Sequence, residues 1–83
     1  MDPSPIERWL ADTEQRIAEN ERHISAQLEI IAGLENAGRG NSETAETARE
    51  ILQSMQRALR ARLRARRLLH VQLRRAVLNP PAA

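Results

Sequence analysis

The sequence has no cysteine, so neither a disulfide nor a thiolate-held metal can brace it. Phenylalanine and tyrosine are also absent, and Trp9 is the single aromatic residue. That leaves no material for a β-sandwich core or for a platform that stacks nucleobases. Lysine is missing too; all 13 basic residues are arginine, a bias we read partly as codon usage. No apolar run approaches the ~20 residues a membrane span requires. The opening residues, Met1-Asp2-Pro3-Ser4, are acidic and hold no apolar signal segment, which makes the cytoplasm the expected address. In 83 residues there is room for one small domain that buries only a modest share of its surface. Association with other chains is the remaining common way to stabilise such a fold.

The chemistry of catalysis is equally sparse. Gly38-Arg39-Gly40 is turn material without the strand and helix that frame a phosphate-binding loop. No nucleophile stands beside a base. His23 and His70 are the only histidines and belong to different helices. An antiparallel pairing brings His70 near Asp12 and Thr13, with an ion pair to Asp12 available, and His23 near Leu59 and Arg60, so the two imidazoles cannot share a metal. The expectation is a protein that is not an enzyme, with no catalytic residue, metal or cofactor.

What the chain does have is charge, unevenly placed. Up to Asn36 eight acidic residues face three arginines, whereas from Ile51 to Leu78 there are eight arginines and no acid. It also has clear helix punctuation. Ser4 can cap a helix, Pro5 suits its first position, and Glu7 sits where a capping box wants it. Apolar residues then recur at Ile6, Leu10, Ile17, Ile24, Ile31 and Leu34 with helical period. Gly38 supplies a left-handed stop. Asn41, Ser42 and Thr44 are alternative caps for a second helix whose early acids, Glu43, Glu46 and Glu50, suit its positive end. Asn79-Pro80-Pro81 ends it, and Arg74 and Arg75 complement its negative end. The spacing predicts helices over about 5–36 and 43–78, a turn at 37–42 and a disordered tail at 79–83. Two helices of about 50 Å with a short connection are antiparallel neighbours. A single helix through the turn would bury the same seam, but its two glycines and the Asn-Ser site cost such a helix roughly 2 kcal/mol or more.

The seam follows a heptad. On the first helix, Leu10, Ile17, Ile24 and Ile31 take position a, and Ile6, Thr13, Asn20, Gln27 and Leu34 take d. On the second, a falls on Leu52, Leu59, Arg66 and Leu73, and d on Ala48, Met55, Arg62, Leu69 and Ala76. Folding antiparallel pairs Leu34 with Ala48, Ile31 with Leu52, Gln27 with Met55, Ile24 with Leu59 and Ile17 with Arg66, and places Asn20 near Arg62 and Thr13 near Leu69. The middle of this seam is polar, and two readings stand. Arg62 and Arg66 can lie half out, their stems over Ile17 and Ile24 and their heads on Glu14 or Glu21. Alternatively Asn20, Gln27, Arg62 and Arg66 form a layer that fixes register or partner.

Apolar residues spread beyond one seam. Trp9, Leu28, Ile30, Ile51, Leu63 and Val77 occupy flanking e and g positions, and Leu68, Val71 and Leu78 add apolar area near the end of the second helix. A stripe this wide belongs to a helix with neighbours on two sides, which a lone hairpin cannot supply and a four-helix bundle can. The fold expected is therefore an all-α, antiparallel, coiled-coil-like two-helix hairpin that pairs into a four-helix bundle, as a homodimer or higher oligomer.

Arg57, Arg60, Arg64, Arg67 and Arg74 form a stripe on the side of the second helix away from the core. As a solvated face it would be partly neutralised by the acidic first helix of a neighbouring chain; it could instead hold the phosphates of RNA or DNA, or an anionic membrane surface. The solvated face is preferred, since no aromatics interleave with the arginines and the net charge is only +2.

The residues Glu21-Arg22-His23-Ile24, Gln27, Ile30-Ile31, Leu34-Glu35 and Gly38, followed by Glu43-Thr44-Ala45 and Leu52, resemble a group of short bacterial helical-hairpin proteins of unknown function. The resemblance covers about the middle third of the chain and implies a fold, not an activity. The turn is longer here, and the second half is richer in arginine. The function expected is structural: a self-associating hairpin offering helical surface to another protein. The alternative is a small nucleic-acid-binding module acting through the arginine stripe.

Overall fold

A computed structural model describes residues 4–78; the expected tail at 79–83 lies outside them. Helix α1 spans Pro5–Asn36 and α2 spans Glu43–Leu78. The two pack against each other antiparallel in a body of 67 × 20 × 13 Å.

The helix ends are set by local hydrogen bonding. The Ser4 hydroxyl accepts from the Glu7 N–H at 3.2 Å and donates to the Glu7 carboxylate, also at 3.2 Å. Glu7 thus holds the capping hydroxyl, a variant of the capping box in which the carboxylate would take the backbone N–H of the cap. At the other end Gly38 has φ +75°, its N–H donates to the Glu35 carbonyl, and the Arg39 N–H donates to the Leu34 carbonyl. These two bonds are the Schellman pattern, which satisfies carbonyls the helix itself leaves open. Of the three possible caps for α2, Ser42 is the one used: its hydroxyl accepts from the Ala45 N–H at 3.1 Å and donates to the Arg39 carbonyl at 2.6 Å.

The core is the heptad seam and little else. Every a and d residue named above is buried or half-buried except Ala76. Ala76 is exposed because it lies level with the first turn of α1, near Ile6, where a methyl group has little left to pack on. One more residue joins the seam: Ala45, seven positions before Leu52, is 0% exposed, more buried than any residue foreseen. Ala45 and Ala48 let the helices approach closely beside the turn. Among the described residues no large side chain is fully buried, so each Ile and Leu of the seam gains only part of the ~1.5–3 kcal/mol that complete burial provides.

Candidate interaction surfaces

The polar middle of the seam consists of two separate layers. Asn20 and Gln27 are each only 7% exposed, although both are amides. The Arg62 guanidinium donates to the Asn20 side-chain oxygen. The Gln27 amide donates to the Ala48 carbonyl at 2.8 Å, two turns closer to the connection than its Met55 counterpart in the expected register. Gln27 therefore belongs with the close-packed alanines and not with the arginines. No buried side-chain nitrogen or oxygen lacks a partner among the described residues, which removes the usual penalty of a buried amide.

This arrangement corrects the reading in which Arg62 and Arg66 reach Glu14 or Glu21. Arg62 turns inward because Asn20 lies at its own height across the seam and offers a buried acceptor. Arg66 makes no hydrogen bond or ion pair among the described residues and lines a groove beside Glu14. His70 also differs from expectation: its Nε2 is 3.9 Å from Glu14 Oε1, while Asp12 is held by Arg16 at 2.9 Å. Asp12 is one turn from Arg16 on the same helix, so the local pair forms instead.

The six residues expected to meet a partner are all exposed, from Leu63 at 37% to Val77 at 71%. They do not form one surface. In an antiparallel pair, e positions face e positions and g positions face g positions across the seam. The pairs Glu14–His70 and Glu35–Arg49, the latter at 3.6 Å, join e to e and mark one flank. Leu28, Leu63 and Val77 belong to that flank, and Leu63 lines a groove there with Arg67, His70 and Arg74. Trp9, Ile30 and Ile51 occupy g positions on the opposite flank, where Ile30 and Ile51 line a second groove that reaches Gln27 and Ala48. A flat list of flanking apolar residues hides this division, which appears only when e and g are kept apart.

Arg57, Arg60, Arg64, Arg67 and Arg74 are exposed, and none makes an ion pair with an acid of α1 among the described residues. Val71 and Leu78 share this outer side and are exposed as well. Among the described residues no three His, Asp or Glu side chains come together as metal ligands would, and no helix is long and apolar enough to cross a membrane. No protein-family model, curated protein or solved structure matches the chain.

Proposed function

We propose that the protein is a non-enzymatic, cytoplasmic interaction module: a hairpin that associates with itself into a four-helix bundle and offers its remaining helical surface to a partner protein. The observation that carries this reading is the imbalance between core and surface. Among the described residues four apolar ones, Ile17, Ile31, Ala45 and Ala48, are buried, whereas nine large apolar side chains stand exposed. Exposed apolar area of this extent marks sites of association. Light scattering coupled to size exclusion tests the reading: at micromolar concentration we expect a mass of two chains or a higher multiple, and a monodisperse monomer would sink it.

A second reading has one observation in its favour. The arginine stripe of α2 makes no ion pair with α1 among the described residues, and its guanidinium groups could meet phosphates, which would make the hairpin a small nucleic-acid-binding module. It ranks lower because the lone aromatic, Trp9, lies on the flank of α1 away from the e-flank grooves of α2 and cannot stack bases beside the arginines.

A further inference from the structure

We infer that the second copy docks on the flank marked by Glu14 and His70, with α1 of each copy lying antiparallel on α2 of the other and both turns at the same end. This rests on the self-association proposed above and specifies its geometry. Glu7, Glu14 and Glu21 occupy successive e positions of α1, seven residues apart. Arg60, Arg67 and Arg74 occupy successive b positions of α2, next outward from its e row and also seven apart. The Glu14–His70 contact fixes the heights of the two rows. Arg67 and Arg74 lie one turn either side of His70, level with Glu14. Leu63, level with Glu21, has Arg60 and Arg67 one turn away. Val77, level with Glu7, has Arg74. Every acid of the row therefore has an arginine within one turn of its own height.

Inside one hairpin Glu14 shares a groove with Arg67 and Arg74 but forms no ion pair with either. The b positions point about 60° further from the seam than the e positions, and no ion pair joins the two rows among the described residues. A second copy rotated by half a turn about an axis parallel to the helices keeps every height and carries its acid row onto this arginine row. Symmetry then makes each layer twice. The other two-fold, perpendicular to the helices, lays α1 on α1 and α2 on α2 with heights reversed, so that Glu21 meets Glu21, Glu7 meets Glu35 and Arg60 meets Arg60, and these like charges outnumber its one opposite pair, Arg74 with Glu46. Leu63 and Val77 supply apolar contact between the rows, and the groove of Leu63, Arg67, His70 and Arg74 receives the acids of the copy. At the turn end Glu35 comes near Glu46 of the copy, a meeting softened because Arg49 of its own chain already holds Glu35. The opposite flank offers no such guide: the g row of α2, Ile51, Ala58, Ala65 and Gln72, carries no charge.

Charge exchange tests the arrangement. One variant carries Glu7→Arg, Glu14→Arg and Glu21→Arg; the other carries Arg60→Glu, Arg67→Glu and Arg74→Glu. At a concentration where the native chain associates, each variant alone is expected to lose its assembly. An equimolar mixture is expected to regain it, with both variants in equal number by native mass spectrometry. Should a triple variant lose helicity by circular dichroism, the exposed single changes Glu14→Arg and Arg67→Glu carry the same expectation in weaker form. A spin label at Arg39→Cys, in a chain with no other cysteine, reports the ends: labels close together support the arrangement, and a separation near the 67 Å length overturns it. A native monomer defeats the proposed self-association itself. A native oligomer whose variants still self-associate, or mix without preference, leaves self-association standing and overturns the choice of flank.

Discussion

The guanidinium of Arg62 crosses the seam to the side-chain oxygen of Asn20, so a half-buried charge of α2 meets a buried amide of α1 near the middle of both helices. Asn20→Leu alone should cost about 1–3 kcal/mol, because the guanidinium is left against an apolar side chain. Asn20→Leu combined with Arg62→Leu should recover that loss or exceed it, by up to roughly 4 kcal/mol. The same double change should loosen register, since nothing polar then distinguishes one heptad alignment from the next. Urea midpoints read the first effect, and extra amide resonances in a nitrogen–proton correlation spectrum read the second.

Two glycines of α1 and its cap should respond with opposite signs. Gly38 holds φ +75°, so Gly38→Ala should destabilise the hairpin by about 1–2 kcal/mol. Gly33 is helical, and a Cβ there would meet nothing within 4 Å. Gly33→Ala should therefore stabilise by about 0.5–1 kcal/mol. Thermal melts of the two variants would show shifts in opposite directions, and equal signs would contradict the cap geometry.

Beside the turn the helices are held together by methyl groups. Ala45→Leu inserts a branched side chain where exposure is 0% and should cost about 1–3 kcal/mol by forcing the helices apart. Ala76→Leu, at the exposed end of the same seam, should be nearly neutral. Chemical denaturation of both variants compares them directly.

Much of the hairpin could be read from the chain, because its determinants are local. Ser4, Pro5 and Gly38 act within one turn of themselves, and the heptad fixes the seam by counting. Other features depended on packing between the helices. Ala45 is too small to mark a hydrophobic period, yet its size is what lets the helices close. Asp12 had a choice between His70 across the seam and Arg16 on its own helix, and the i,i+4 spacing to Arg16 was the signal that favoured the local pair. The long side chains of Arg62 and Gln27 each had several acceptors within range, and which one they take depends on the axial offset of the helices. The six exposed apolar residues were found as individuals, but their division between two flanks requires the pairing of e with e and g with g.

Trp9 is 60% exposed and lies on the flank away from the inferred docking face. Its emission maximum and its quenching by iodide should stay unchanged as the protein is diluted through dissociation. A blue shift on association would place the interface on the Trp9 flank instead. A helical partner that runs along the whole g flank, from Ile51 and Ile30 to Trp9, should, in contrast, shift that emission.

Arg57 and Arg64 point outward at f positions and take no part in the inferred charge rows. Arg57→Gln with Arg64→Gln should leave the assembly intact and change stability by less than about 1 kcal/mol. Fluorescence anisotropy at about 0.15 M salt should show weak or no binding of generic RNA or DNA by the native chain. Sub-micromolar affinity, lost in that variant with a shallower salt slope of about one unit per missing phosphate contact, would establish the nucleic-acid reading in place of the structural one.

Because the contacts between α1 and α2 run antiparallel, sequence separation across the seam grows steadily away from the turn. The Gln27–Ala48 bond joins residues 21 apart, and the Asn20–Arg62 bond joins residues 42 apart. A doubling of loop length adds about 0.6 kcal/mol of closure entropy, so the contacts beside Ala48 form at lower cost than those beside Arg62. Folding should then run as a zipper from the glycine turn outward, with substitutions at Ala45 and Ala48 slowing folding and those at Leu10 and Leu73 chiefly hastening unfolding. The last turns to close are those bearing Glu7, Val77 and Arg74, so under the inferred docking the assembly would draw part of its contact surface from the segment that folds last.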